Sequence, residues 1–261
     1  MLRRSLLDHG YIELVETWGS DERIIEAARM STDKGFQGWG PQPCPRHCQS
    51  DIRLPGGGCA SNVPQRDCPA CKGQGTVPGD EKLLRYLWEH KHYTPFEMSG
   101  LTLEVQAPIF VFREWHRHRT QSYNELSARY TVLPDLFYVP SLERIMMGGQ
   151  GHGNKQSSGV PISEEVARRM QAAMEESYQR CRELYEKLIL DNLARELARA
   201  VIPFAQYSRM RASANLRNWL AFLTLRQAAG AQWEIRQYAN VVGELISKRF
   251  PRTWTLFAEG L

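Results

Sequence analysis

Residues 113–130, REWHRHRTQSYNELSARY, hold four arginines, two histidines and two glutamates in eighteen positions. So dense a set of fixed charges has two physical uses. One is a solvated helix face followed by a surface strand, where each ion pair contributes little. The other is a site for a phosphorylated ligand, since Arg binds phosphate bidentately while Glu and Ser reach ribose or phosphate oxygens. Trp115, Tyr123 and Tyr130 interleave the charges, which a purely solvated face does not require.

If residues 109 to about 119 are helical, Arg113 and Arg117 share a face and Glu114 can pair with Arg117, while Arg117 and Arg119 point to different sides. Taken as extended, NELSARY turns Glu125, Ser127 and Arg129 to one side and Leu126, Ala128 and Tyr130 to the other. An acceptor, a hydroxyl and a guanidinium then line one wall.

A mixed set of elements must position that wall. YIELVE (11–16) alternates as a half-buried strand, and Ser20 with Asp21 and Glu22 opens an amphipathic helix through Arg29. DEKLLRYLWEH (80–90) places Leu83, Leu84, Leu87 and Trp88 on one helical face. LTLEVQ (101–106) alternates as a strand, and Pro108 suits the first turn of the next helix, from Ile109 to about Arg119. Residues 148–159 carry five glycines in twelve and read as a flexible loop. From Ser163 as N-cap, Val166, Met170, Met174, Tyr178, Cys181, Tyr185 and Leu188 recur at helical spacing; further helices are expected around DNLARELARAVIP, NLRNWLAFLTLR and AQWEIRQYANVVGELI. The class is α+β, with mixed strands and helices in the N-terminal half and a largely helical C-terminal half. If NLRNWLAFLTLR is one helix, Arg217 and Arg226 face nearly opposite ways, so one ligand does not touch both in one subunit.

With 42% apolar and 24% charged residues, the composition is that of an ordinary globular protein with a sizeable core. A net charge of +4 is mild, which disfavours a nucleic-acid coat and suits a small anionic ligand. No apolar run reaches membrane-spanning length and no secretory h-region follows MLRRSLLDHG, so a cytoplasmic location without a membrane partner is expected. Residues 33–80 differ from the rest: 16 of these 48 are Gly or Pro, too little apolar material to offset the ordering entropy without a staple. Five of the six cysteines lie there, between Cys44 and Cys71. In a reducing compartment their spacings, Cys44-x3-Cys48 and Cys68-x2-Cys71, point to one structural zinc, with His47 and Cys59 as competing ligands and free thiols as the bland alternative.

Arg117-His118-Arg119 followed by Ser127, inside RHRTQSYNELSARY, resembles the signature of the flavin-dependent thymidylate synthases. The likeness extends through AARMS, LLRYLWEHKHYTPFE, APIFVFREWHRHR, PDLFYVPSLER, LARAVIPFAQYSR, NLRNWLAFLTLR and AQWEIRQYA; only the insert at 33–80 and the glycine-rich loop fall outside it. The resemblance implies the family-type α+β fold as a single domain over 1–261. It implies reductive methylation of dUMP to dTMP, with methylenetetrahydrofolate as carbon donor and NADPH as reductant through FAD, in a homotetramer whose active sites form between subunits. It implies FAD contacts at His92, Thr94, Arg117, His118, Arg119, Glu125, Asn215 and Arg217. It implies nucleotide contacts at Glu114, Arg117, Glu125, Ser127, Arg129, Arg199 and Arg226, with Arg226 catalytic against the uracil ring. The bland alternatives are a surface salt bridge for Arg226 and a local cap for Ser127.

Met98, Ala221 and Gly230 depart from the family pattern, each standing where a histidine, or at Ala221 an asparagine, is common. No cysteine falls among the site positions, and Cys181 sits on a helix's apolar face, so the nucleophile of the thiol-dependent thymidylate synthases is not expected. Two other readings compete: a related flavin and folate enzyme that hydroxymethylates or otherwise alters a pyrimidine nucleotide, and a zinc-stapled nucleic-acid-binding module, against which the mild charge argues.

Overall fold

The structure, a computed structural model, describes residues 2–44, 71–150 and 158–260. In chain order its elements are β1 (Leu2–Leu6), β2 (Gly10–Trp18), α1 (Asp21–Arg29), β3 (Gln42–Pro43), β4 (Thr76–Val77), α2 (Asp80–Glu89), α3 (Thr94–Glu97), β5 (Gly100–Pro108), α4 (Ile109–Trp115), β6 (Ser122–Glu125), α5 (Leu142–Met146), β7 (Gly149–Gln150), β8 (Ser158–Val160), α6 (Glu164–Leu190), α7 (Arg195–Ala198), β9 (Tyr207–Asn215), α8 (Leu216–Arg226), α9 (Trp233–Arg249) and α10 (Pro251–Ala258). The class is mixed helix and strand, and the C-terminal half is mostly helical, as expected from the sequence. The chain divides into two compact units, residues 2–18 with 100–249, and residues 19–99 with 250–260.

The first unit is built on a five-stranded antiparallel sheet of order β1-β2-β5-β9-β6. Period-two alternation puts Leu101, Leu103, Val105 and Ala107 of β5 in the core, while Thr102, Glu104 and Gln106 are only half-buried. Helices α4, α8 and α9 supply an aromatic core in which Trp115 lies 4.6 Å from Phe222 and Trp219 meets both edge-on. The polar ends of these rings are satisfied: Trp219 Nε1 donates to Leu101 O at 2.9 Å and Tyr238 Oη to Gln106 O at 2.8 Å. Gly10 starts β2 because a Cβ there would meet the Tyr238 hydroxyl and, at 2.9 Å, Leu6 O.

In the second unit Ser20 caps α1, its Oγ accepting from Arg23 N at 3.3 Å. Asp21, nearly buried, accepts from Arg252 N at 2.8 Å and from Thr253 N and Oγ1 at 3.2 and 2.6 Å, so the first turn of α1 caps the start of α10. Asp80, fully buried, accepts from Gln37 N at 2.6 Å and from the Arg29 guanidinium. Strands β3 and β4 pair antiparallel, Gln42 with Val77 and Pro43 with Thr76.

Three expectations fail for identifiable reasons. The helix from Ile109 stops at Trp115, because the Tyr123 hydroxyl donates to the carbonyls of Trp115 at 3.2 Å and His118 at 2.7 Å and folds the chain into a turn there. NELSARY is extended only to Glu125; beyond it Ser127 organises a turn, its Oγ accepting from Arg129 N at 3.3 Å and its carbonyl from Thr131 N at 3.1 Å. DNLARELARAVIP yields one helical turn, α7, followed by a 3-10 turn at Arg199–Val201, and Pro203 stops it. The strand that follows, β9, was not foreseen.

Candidate active site

Arg226 ends α8, and its guanidinium is held through all three nitrogens. Nε donates to His118 Nε2 at 2.8 Å, Nη2 to Glu114 O at 2.8 Å, and Nη1 to the Glu114 carboxylate. The Arg226 side chain is only 15% exposed, so the bland reading of an exposed surface salt bridge does not describe it. His118 packs edge-on against Phe222, ring centroids 4.8 Å apart, one turn before Arg226 on the same helix. Burial, and then the Arg226 charge, push the His118 imidazole down to about 4, so it is neutral at pH 7. The pairing of Glu114 with Arg117 expected from helical spacing gives way to Glu114 with Arg226.

The turn carrying Arg117 and Arg119 lies against the start of α8. Asn218 Nδ2 donates to Thr120 O at 3.3 Å, and Asn215 is the N-cap of α8, its Oδ1 accepting from Asn218 N at 2.9 Å. The turn that carries the exposed residues Arg117 and Arg119 thus meets a helix N-terminus that also bears Arg217. Backbone N–H groups, the positive end of the helix and flexible guanidinium forks suit a diphosphate. Of the expected flavin contacts, Arg117 and Arg119 lie on the turn that Thr120 ties to the start of α8, where Asn215 and Arg217 stand, whereas the His118 ring meets Phe222 and Arg226 towards the other end of that helix.

A cavity of 540 Å³ is lined by Glu125, Ser127, Glu196, Arg199, Phe204 and Ser208 among others. Glu125, Ser127 and Arg199, expected nucleotide contacts, therefore share one wall, and Arg129 reaches Glu196 at 3.5 Å. The turn at Ser127, not an extended wall, achieves this. His116 Nε2 stands 4.0 Å from the Glu125 carboxylate. Ser208 was missed from sequence: it sits on β9, 1% exposed, and its hydroxyl has no hydrogen-bond partner among the described residues. A hydroxyl at an inward position of YSRMRASAN is a signal that a strand reading would have found. Glu114 and Arg226 do not line this cavity.

His92, Thr94 and Met98 belong to the second unit, where with Arg29, Lys91 and Tyr93 they help to line a 650 Å³ cavity. In the first unit, Ala221 is exposed, and a Cβ at Gly230 would meet nothing within 4 Å. Of the expected zinc ligands, Cys48 and Cys68 lie outside the described residues, as do His47 and Cys59. Cys44 and Cys71 are buried together with Val77 against them. Cys44 N donates to Gly75 O at 2.9 Å, and Lys72, Gly73 and Gly75 take φ of 48°, 83° and 71°. Among the described residues no group of three or more His, Cys, Asp or Glu side chains could hold a metal ion. Among them, too, no helix is long and apolar enough to cross a membrane. Cys181 is half-buried on α6 and does not line the cavity of Glu125, Ser127 and Arg199.

An antiparallel sheet backed by aromatic helices carries a cavity with charged residues in its lining and, apart from it, a helix start bearing Arg217, an arrangement compatible with phosphorylated ligands. The model of the family described as thymidylate synthase complementing protein matches residues 13–252. The chain belongs to that family of enzymes, the flavin-dependent thymidylate synthases. It is 36% identical over 257 residues to a flavin-dependent thymidylate synthase of Thermus thermophilus, covering 98% of this chain and 78% of that one. It is 35% identical over 254 residues to that of Anaplasma marginale, covering 97% and 74%. Among solved structures, the UMP/dUMP methylase PolB from Streptomyces cacaoi bound with 5-Br UMP superposes with a TM-score of 0.72 at 29% identity, covering 96% of this chain and 94% of that one.

Proposed function

We propose that the protein methylates dUMP to dTMP, with methylenetetrahydrofolate as carbon donor and NADPH as reductant through FAD. The observation that carries the reading is Arg226, a guanidinium fixed through all three nitrogens by Glu114 and His118 within a chain of this family. In this reading Arg226 turns its remaining N–H groups to a pyrimidine oxygen and stabilises the negative charge that develops as C5 becomes nucleophilic. Glu125, Ser127, Arg129 and Arg199 hold the nucleotide's sugar and phosphate, with Glu114 and Arg117 at its base. His92, Thr94, Arg117, Arg119, Glu125, Asn215 and Arg217 hold FAD, with His118 between the two arginines turned to Arg226, and the donors at the start of α8 suit its diphosphate. Bound FAD would supply the hydride that completes the methyl group. No protein nucleophile is needed, in keeping with the absence of cysteine from these positions.

The Arg226 cluster and the Glu125–Ser127–Arg199 cavity are separate groups in one chain, which supports the reading of active sites completed between subunits of a homotetramer. Phe204 on that cavity's wall, 67% exposed, and Tyr130 and Leu197, 75% and 58% exposed next in sequence to Arg129 and Glu196, offer apolar surface for such a neighbour. One structural zinc on Cys44, Cys48, Cys68 and Cys71 belongs to the same proposal; the buried Cys44–Cys71 pair and its turn of positive φ fit a thiolate knuckle. A second reading, UMP as the acceptor, is favoured by the likeness to a UMP/dUMP methylase.

The test is spectroscopic. Protein loaded with FAD is expected to bleach when NADPH is added without oxygen and to regain its yellow colour only when methylenetetrahydrofolate and dUMP are both supplied. Recovery with neither, or with UMP alone, would overturn the dUMP reading.

A further inference from the structure

An arginine that must polarise one oxygen is useful only if its plane is fixed. A guanidinium has five N–H groups, and three of Arg226's nitrogens each spend one on an inner partner: His118 Nε2, the Glu114 carboxylate and the Glu114 carbonyl. Both Glu114 contacts come from one residue of α4 and hold the outer end of the fork. The Nε–H bond to His118 adds a third point, from a different residue, at the inner end of the guanidinium. That bond has a chemical requirement. Nε can only donate, so His118 Nε2 must carry no proton and the ring proton must sit on Nδ1.

The surroundings of His118 meet the requirement. Its ring is 9% exposed or less and rests edge-on against Phe222 at 4.8 Å. Its backbone is pinned on both sides, N to Trp115 O at 3.0 Å and O by the Tyr123 hydroxyl at 2.7 Å. Tyr123 is thus a buckle: its hydroxyl both ends α4 and fixes the imidazole's backbone.

We infer that His118 is a positioning residue for Arg226, its unprotonated Nε2 setting the plane of the guanidinium, and that this nitrogen is not a ligand of the flavin. The inference rests on the reading of Arg226 given above. It separates the roles within Arg117-His118-Arg119: the outer two arginines are exposed and available to anions, while the histidine between them faces inward.

The experiment compares the parent with His118→Leu and His118→Gln, each as the full chain with FAD at a concentration saturating for that protein, and measures FAD affinity separately by absorbance titration. Gln carries an amide oxygen that can accept the Nε–H; Leu does not. His118→Leu is expected to lower turnover about 10- to 100-fold, the size of one charge-assisted hydrogen bond, with FAD affinity within about threefold. His118→Gln should recover most of the turnover. Weakened FAD binding in both variants, with turnover restored at saturating FAD, would overturn the inference, as would a Gln variant no better than Leu. Thymidylate formation by the parent tests the reaction itself in the same assay. Should the parent make none, the reaction reading fails, and long-range 15N–1H spectra of histidine-labelled parent still decide the positioning role: an unprotonated Nε2 at pH 7 upholds it and a protonated one overturns it.

Discussion

Replacing Arg226 by lysine removes the planar fork while keeping a positive charge. A single ammonium can keep the Glu114 carboxylate, but it cannot also reach His118 Nε2 and Glu114 O, which Arg226 holds at 2.8 Å each. An acceptor left without its donor costs about 1 to 2 kcal/mol, less where water reaches it. The Glu114 side chain is 39% exposed and Arg226 15%, so water offsets part of the loss and the expected total is about 2 kcal/mol. For a chain of this size that lowers the unfolding midpoint by roughly 4 to 8 °C, and the protein remains folded at 25 °C. The effect on catalysis is larger: losing an oriented donor at developing charge costs about 100- to 1,000-fold in turnover, because a compact ammonium does not reproduce the fork. Steady-state assays with varied dUMP, alongside thermal unfolding, separate the two effects. Turnover within about threefold of the parent, with the midpoint lowered as calculated, would refute the catalytic role while leaving the hydrogen-bond reasoning intact.

His118 makes stability depend on pH. Its folded-state value, about 4, lies below the ordinary 6.5, so its contribution is fully present above pH 6.5 and is lost as pH falls towards 4. The loss is about 1 to 3 kcal/mol. Urea unfolding at several pH values should show it in the parent and not in His118→Leu; parallel curves would contradict it. Gly79→Ala should destabilise the second unit by about 2 kcal/mol or more, because the added Cβ meets Gly38 O at 2.7 Å and the carbonyl oxygens of Trp39 and Gly40; an unchanged unfolding midpoint would show that this turn yields freely. Cys181→Ala should keep full activity with at most about 1 kcal/mol of lost packing, and an inactive but folded variant would bring a thiol nucleophile back. Metal analysis of protein purified without chelator is expected to give one zinc per chain, and protein free of zinc would remove the proposed cluster.

The elements most readable in the sequence are those whose signals are local. Ser20 caps α1 as expected, and β5 follows from alternation because its inward residues are large: Leu101, Leu103 and Val105. β2 is a strand as expected, but the adjacent Tyr11 and Ile12 are both buried and its register shifts after Leu14, so its burial does not alternate. Strand β9 is hidden because three of its inward residues are Ser208, Ala212 and Ala214, whose small side chains blur a period of two. The end of α4 is hidden because Tyr123 acts on it through space. The members of the candidate site are legible one by one, but their grouping is not: Arg226 meets residues 108 and 112 positions away, and no local pattern says that Glu114 serves Arg226 and not Arg117. Ser127 shows the opposite case, where the expected function of the residue is compatible with a turn although the expected strand is absent.

The central claim is that this chain transfers a one-carbon unit to C5 of dUMP and reduces it to methyl. The most direct measurement is the mass of the nucleotide formed from dUMP by protein supplied with FAD, NADPH and methylenetetrahydrofolate labelled in its methylene group. The account predicts dTMP carrying the label in its methyl group, with none formed when FAD, NADPH or the folate is omitted. Unchanged dUMP, or a labelled hydroxymethyl nucleotide in place of dTMP, would contradict it.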